Sequence, residues 1–293
     1  MKLDAAFFDT LSRLRLSMRH KSSMNLSGNR KSVQKGSSTE FSDFREYMPG
    51  DDIRRIDWNA YGRLDRLYVK EYMEEKEAVI SILLDTSASM NYGEKKKSDL
   101  ACMLAAAMAY LGLGSMDRVV VYDVQRMNAP FVARGGKNAF PRLADWLEQR
   151  SFDGSADIAE AVRRLPTMGP GMTFMISDFL QEDFTDRDKE TAKKLLRYLD
   201  YRRQKPVFLH VLAGEELFVD LTGTRNLIDM ENNSTLRLTL DASSIRAYEK
   251  SLAEFTSGLE RECDKAGAFY AVCSTETDFS KLIFQDLRAL YDF

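Results

Sequence analysis

From Ala78 onward, apolar residues arrive in two alternating rhythms. Short continuous runs (Val79-Ile80-Ser81-Ile82-Leu83-Leu84, Arg118-Val119-Val120-Val121-Tyr122, Met172-Thr173-Phe174-Met175-Ile176, Val207-Phe208-Leu209-His210-Val211-Leu212 and Ala268-Phe269-Tyr270-Ala271-Val272) are separated by longer amphipathic stretches. Runs without a polar residue at every second position are the pattern of strands buried on both faces, as in a parallel sheet covered by helices. The amphipathic stretches predict helices over Ser98–Gly112, 138–149, 157–165, 186–203, 244–265 and 280–291. Strand and helix alternating in this way predict an α/β fold.

The rhythm fails in two places. Residues 217–240 contain two short strand-like runs around Gly223 and Asn232-Asn233, which predicts a β-hairpin insertion. Upstream, a short helix is expected from Ala5 to Met18, followed by a Ser-, Gly-, Asn- and Lys-rich loop over Ser22–Thr39. The next stretch, Glu40–Tyr72, interleaves aromatic and charged residues. Its acids Glu40, Asp51, Asp52 and Asp57 are expected to pair with Arg45, Arg54 and Arg55 as a structural clasp. The expected division is a small N-terminal module over 1–76 and a main domain over 77–293.

With 293 residues and 44% hydrophobic content, the chain is long enough to bury a full core. A net charge of −3 gives no bulk attraction to nucleic acid, and no specific nucleic-acid partner is expected. Charge is uneven, however. Between Thr10 and Thr39 there is no acidic residue, while Arg13, Arg15, Arg19, Lys21, Arg30, Lys31 and Lys35 all fall there, forming a basic arm that is either solvated or a contact for an acidic partner. The three cysteines, Cys102, Cys263 and Cys273, are scattered in apolar surroundings and read as reduced core residues. The first residues lack the apolar run of a signal peptide, and Leu100–Gly114 is too short to span a bilayer, so a cytosolic protein is expected.

In open parallel sheets, ligands gather beyond the carboxyl ends of the strands. Two runs end in acid: the first enters Asp85-Thr86-Ser87-Ala88-Ser89, and a later one ends Ile176-Ser177-Asp178. Alternate side chains of an extended segment face the same way, so Asp85, Ser87 and Ser89 are expected to offer one carboxylate and two hydroxyls to a single point, with Asp178 completing the set. Oxygen-only ligands suit a hard divalent cation such as Mg²⁺, or Mn²⁺. The bland alternative is a capping turn in which the same side chains satisfy free amides.

The Asp85–Ser89 element after an apolar strand resembles the DxSxS motif of the metal-ion-dependent adhesion site in von Willebrand factor A domains. The block Glu40-Phe41-Ser42-Asp43-Phe44-Arg45-Glu46-Tyr47-Met48-Pro49-Gly50-Asp51-Asp52-Ile53-Arg54-Arg55-Ile56-Asp57-Trp58-Asn59-Ala60, with Val69-Lys70 after it, is similar to the signature of the domain-of-unknown-function 58 family. The resemblance implies a doubly wound, mostly parallel sheet of von Willebrand factor A or Rossmann-like type, with a metal at its top edge. It also implies a MoxR-type AAA+ ATPase as partner and a role in assembling or maturing other protein complexes. Adhesion-type sites take a threonine from a second loop; here that loop reads Gly154-Ser155-Ala156-Asp157, with alanine at the threonine position, so the place is expected to be filled by the Ser155 hydroxyl, through a one-residue shift of the loop, or by a water.

These readings predict a non-enzymatic module whose metal is completed by a partner's Glu or Asp. Two others compete with it. A metal-independent scaffold would recruit its partner through the basic arm. A Mg²⁺-dependent phosphoryl-transfer hydrolase is disfavoured because Ser87 stands where such enzymes place a second carboxylate, and no GxxxxGK[ST] loop is present.

Overall fold

Six strands form one sheet: β1 (Val79–Leu84), β2 (Arg118–Asp123), β3 (Phe131–Ala133), β4 (Gly171–Ser177), β5 (Gln204–Leu212) and β6 (Phe269–Ser274). They lie in the order β3-β2-β1-β4-β5-β6, with β3 antiparallel to β2 and every other pair parallel. The computed structural model describes residues 3–12, 14–16, 40–73, 78–167, 169–185, 189–220, 223–228, 230 and 234–292. They fall into two compact units, residues 1–23 with 78–293, and residues 24–77.

In the larger unit the sheet is covered on both faces, as its uninterrupted apolar strands require. Ile80, Ile82 and Leu84 of β1 point into a core built with α1 (Lys97–Gly114) and α2 (Phe140–Glu148). Val79 and Leu83 point the other way, toward α3 (Ile158–Arg164), α4 (Glu190–Tyr201) and the C-terminal half of α5 (Ala242–Lys265). The helix α1 is buried along most of its length, which its alanines allow by letting it sit close to the strands. Close approach also explains Gly171: a Cβ there would lie 2.0 Å from the carbonyl oxygen of Val79 in the neighbouring strand.

The strand order determines where a ligand can sit. From β1 the chain travels outward to β2 and β3, then returns across the sheet to lay β4 against the other side of β1. The carboxyl ends of β1 and β4 therefore diverge at the point where the direction of winding reverses, and that crevice is the binding position of doubly wound sheets.

Several expected elements are altered by packing. The N-terminal helix spans only Ala5–Leu11 and belongs to the larger unit, where Phe7 stacks on Phe279 at 5.4 Å. The two-residue strand Arg15–Leu16 then pairs with Tyr291–Asp292. That pairing forces the chain out of the continuous 280–291 helix, which becomes a short α-turn at Phe279–Lys281, a π-turn at Leu282–Asp286 and a 3-10 turn at Arg288–Leu290. The short edge strand β3 has no counterpart in the sequence expectations. The hairpin appears as Gly223–Ile228 paired with Thr235–Leu240, its described side chains almost all exposed. The greater part of the basic arm, residues 17–39, lies outside the described residues.

The smaller unit is a hairpin of Glu40–Glu46 against Tyr68–Met73, with a short helix Trp58–Leu64 between them. Ile56 and Val69, bridged across the unit, are its buried apolar pair. Of the expected clasp, Arg45 bonds Asp51 at 2.8 Å and Arg54 bonds Asp52 at 3.2 Å. Asp57 also caps the short helix, accepting from the amides of Asn59 and Ala60.

Candidate functional site

The amide of Asp85 continues the sheet, donating to the Ile176 carbonyl of β4 at 3.0 Å, and the chain then turns away at the crevice. Asp85 Oδ1 accepts from the Ser87 amide at 2.9 Å and from Ser87 Oγ at 2.7 Å. Ser87 Oγ lies 3.0 Å from Ser89 Oγ, so carboxylate and both hydroxyls form one contiguous run of oxygens. Thr86 points the opposite way, as alternation in an extended segment demands, and donates to Asp123 Oδ1 at 2.7 Å. From the neighbouring strand, Ser177 Oγ donates to Asp85 Oδ2 at 2.5 Å.

Asp178 follows β4 and is also buried. Its Oδ1 accepts the Leu180 amide at 3.2 Å, and its carboxyl is hydrogen-bonded by the Ser89 side chain. Phe179, next to it, has a left-handed backbone at φ 50, rare for an aromatic residue. Contacts of its ring with Phe184, Phe208 and His210 hold that turn and so aim Asp178. Four of the five expected site residues are thus brought together: Asp85, Ser87, Ser89 and Asp178.

Ser155 is the exception. Its loop is attached to the site by backbone bonds, from the Ala88 amide to the Gly154 carbonyl at 2.9 Å and from the Asp153 amide to the Thr86 carbonyl at 3.0 Å. The Ser155 side chain itself is exposed and makes no hydrogen bond to the described residues. Ala156 packs into the core beside Ile158, and Asp157 caps α3 through the Glu160 amide at 2.7 Å.

The two carboxylates sit in different fields. Asp85 is fully enclosed, has no basic side chain within ion-pair distance among the described residues, and its carboxyl is pushed up to about 6 by burial and by the nearby negative charge of Asp178. Burial pushes Asp178 upward most strongly, but the Lys97 ammonium, the Leu180 amide and the Ser89 hydroxyl together hold that carboxyl below its ordinary value. Lys97 is 1% exposed and bonds Asp178 Oδ2 at 2.8 Å and Glu216 Oε1 at 2.7 Å. Local sequence does not single it out, because Lys97 closes a run of three lysines that reads as solvated surface. Asp123 is a third acidic strand end; Arg126 at 3.1 Å and Arg150 at 3.5 Å neutralise it. His210 of β5 is buried and only partly satisfied: Nδ1 lies 2.6 Å from the Tyr270 hydroxyl, and Nε2 has no partner among the described residues.

The donor set fits a hard cation. Among the described residues no three His, Cys, Asp or Glu side chains gather as ligands, so a metal here would rest on two carboxylates, hydroxyls and retained water. Mg²⁺ and Mn²⁺ tolerate that arrangement, and Zn²⁺ does not favour it. A cation would also supply the countercharge that buried Asp85 lacks.

Residues 43–256 match the family model described as "Protein of unknown function DUF58". The chain belongs to this family. An uncharacterized protein of Mycobacterium bovis is 30% identical to it over 177 residues, 57% of this chain and 55% of the relative. The DUF58 chain thus spans about half the length of the curated relatives it matches. Among solved structures it is similar to the conserved hypothetical protein BatB from Bacteroides thetaiotaomicron, at 16% identity and a TM-score of 0.39, covering 73% of this chain and 98% of that one. An aerotolerance-related membrane protein from Bacteroides fragilis gives 15% identity and a TM-score of 0.39, covering 72% and 99%. Among the described residues of the DUF58 protein, no helix is long and apolar enough to cross a membrane.

Proposed function

We propose that the crevice between β1 and β4 is a metal-ion-dependent adhesion-type site on a von Willebrand factor A-like domain, and that the protein is a non-enzymatic, cytosolic adaptor. Asp85, Ser87, Ser89 and Asp178 would hold Mg²⁺ or Mn²⁺, with Ser155 approaching through the loop tied to Ala88. The ion would leave a coordination position for a Glu or Asp of a protein partner. A MoxR-type AAA+ ATPase is the partner the family resemblance suggests. The observation that carries the reading is the run Asp85 Oδ1, Ser87 Oγ and Ser89 Oγ, linked at 2.7 and 3.0 Å around a buried carboxylate without a countercharge.

One observation favours the second reading, a metal-independent scaffold. Lys97 already gives Asp178 a buried positive partner, leaving only Asp85 in need of one. Titration calorimetry with Mn²⁺ on wild type and Asp85→Asn separates the two. Saturable binding by wild type that the variant loses supports the ion site; no heat from either protein leaves the scaffold. Capture of an ATPase by wild-type bait that chelator abolishes would extend the first result to the partner.

A further inference from the structure

A cavity of about 320 Å³ lies between the loops after β1 and β4, the turn Gly214–Leu217 that follows β5, the hairpin and the start of α5. Leu180, Val219, Leu238, Leu240 and Ile245 make its apolar wall, and the rings of Tyr92 and Tyr248 line it as well. The Tyr248 hydroxyl donates to the Glu216 carbonyl at 3.0 Å, which fixes that ring in place. Leu236, Leu238 and Leu240 alternate along one strand of the hairpin and so share a face. Leu236 is 60% exposed, so the apolar wall continues past the cavity along the hairpin. Contiguous apolar surface of this kind marks a contact site.

The charge of the lining determines what it can take. The carboxylates of Asp178, Glu215 and Glu216 stand against the single Lys97 ammonium, which leaves the cavity negative by two charges. Glu215 is the exposed member; Oε1 accepts the Glu94 amide at 2.7 Å, and that bond holds its carboxyl below the ordinary value. The negative field reaches the rings. Burial, with the charges of Glu215 and Glu216 added, pushes the Tyr92 hydroxyl up, and burial with Glu216 does the same at Tyr248. Arg225, opposite Leu238 on the hairpin, is exposed and outside the lining. A Mg²⁺ at the ion position, taken with the Asp85 carboxylate, would add one positive charge and leave the lining negative.

Negative charge, aromatic faces and an aliphatic wall together select an amphipathic cation. A leucine would satisfy the wall alone, and a glutamate would add a further like charge. Arginine satisfies all three, because its methylenes lie along leucines, its guanidinium stacks on tyrosine rings and its N–H donors reach carboxylates. We propose that this cavity receives an arginine side chain of a protein partner, whose neighbouring residues lie on the apolar face of the hairpin. That extended face is what favours a protein segment over a free small cation. The inference needs no ion and stands whether or not one binds at Asp85.

The test uses the full chain in chelator, with labelled decapeptides of one polar scaffold read by fluorescence polarisation. Each peptide carries a Leu and, one to four positions from it, Arg, citrulline, a second Leu or Glu. Citrulline keeps the shape of arginine and drops its charge. The best-spaced Arg peptide is expected to bind about tenfold or more tighter than its citrulline counterpart, the worth of a charge-assisted hydrogen bond. Glu215→Gln keeps an acceptor for the Glu94 amide and removes one charge, and Leu238→Lys sets a cation in the wall. Each should cut the Arg gain by about threefold or more, with the melting temperature little changed. Equal binding of the Arg and citrulline peptides, a tighter Leu peptide, or no binding of any peptide up to millimolar concentration overturns the proposal. So does a gain that both variants keep. Arginine amide competing on its own as well as the best peptide would assign the cavity to a small cation and overturn the partner segment.

Discussion

The Lys97 ammonium stands between Asp178 Oδ2 and Glu216 Oε1, at 2.8 and 2.7 Å, where almost no solvent reaches it. One buried cation serves carboxylates from two different loops. Removing it strands both, and a buried charge left without its partner costs about 3–5 kcal/mol. Lys97→Met is therefore expected to lose stability of that order without metal, and to regain more from Mn²⁺ than wild type gains. Denaturant unfolding with and without Mn²⁺ measures both. Equal Mn²⁺ gains in the two proteins would remove Asp178 from the ligand set.

Asp85→Asn should act in the opposite direction. The side chain keeps an acceptor for Ser87, turns its bond with Ser177 round so that the amide donates to Oγ, and gives up an unneutralised charge in the protein interior. Stability at pH 8 without metal is expected to rise by about 1 kcal/mol, and the Mn²⁺-induced rise in melting temperature to disappear. A variant less stable than wild type would mean that Asp85 is better solvated than its surroundings imply.

The pH dependence follows from two groups of opposite sign. Asp85 is raised from 3.8 to about 6, so its contribution to stability is present below pH 3.8 and lost as the pH rises through about 6. His210 is lowered from 6.5 to about 4 by burial, so its contribution is present above pH 6.5 and lost as the pH falls through about 4. Between pH 4 and 6 the two slopes oppose each other in the wild-type protein. Asp85→Asn leaves His210 unopposed, and its acid destabilisation in that window is expected to be steeper by up to ~1.4 kcal/mol per pH unit. Urea midpoints at half-unit pH steps would detect this; parallel wild-type and variant curves would contradict the assignment of Asp85.

Much of the sheet was legible because a strand buried on both faces has only one way to be written. All five apolar runs became strands, and the acids closing two of them met at the crevice. What the sequence hid was of two kinds. Tertiary pairing overruled local periodicity at the C-terminus, where Tyr291 and Asp292 leave helix to pair with Leu16 and Arg15. Ion pairing was invisible because charge carries no address: Lys97 and Lys96 look alike in sequence, while one is buried against Asp178 and the other is exposed. Ser155 was chosen by its position in a motif, and backbone bonds bring its loop to Ala88 without turning the hydroxyl inward.

A simpler test concerns the strand contact beneath the site. Gly171→Ala would place a methyl 2.0 Å from the Val79 carbonyl, in backbone that has no free direction to yield. A loss of stability of ~2 kcal/mol or more is expected, with a melting temperature lowered accordingly. A neutral substitution would mean that β1 and β4 are less tightly registered than their pairing indicates.

The described side chains of the hairpin add almost nothing to the buried core, whereas Asp85, Ser87 and Asp178 are embedded in it. Substitutions on the hairpin therefore cost little folding energy, and those at the crevice cost much. Lineages carrying this architecture can rewrite the hairpin one residue at a time while Asp85, Ser87 and Asp178 stay fixed. New partners would then be acquired by drift at the rim, without rebuilding the chemistry beneath.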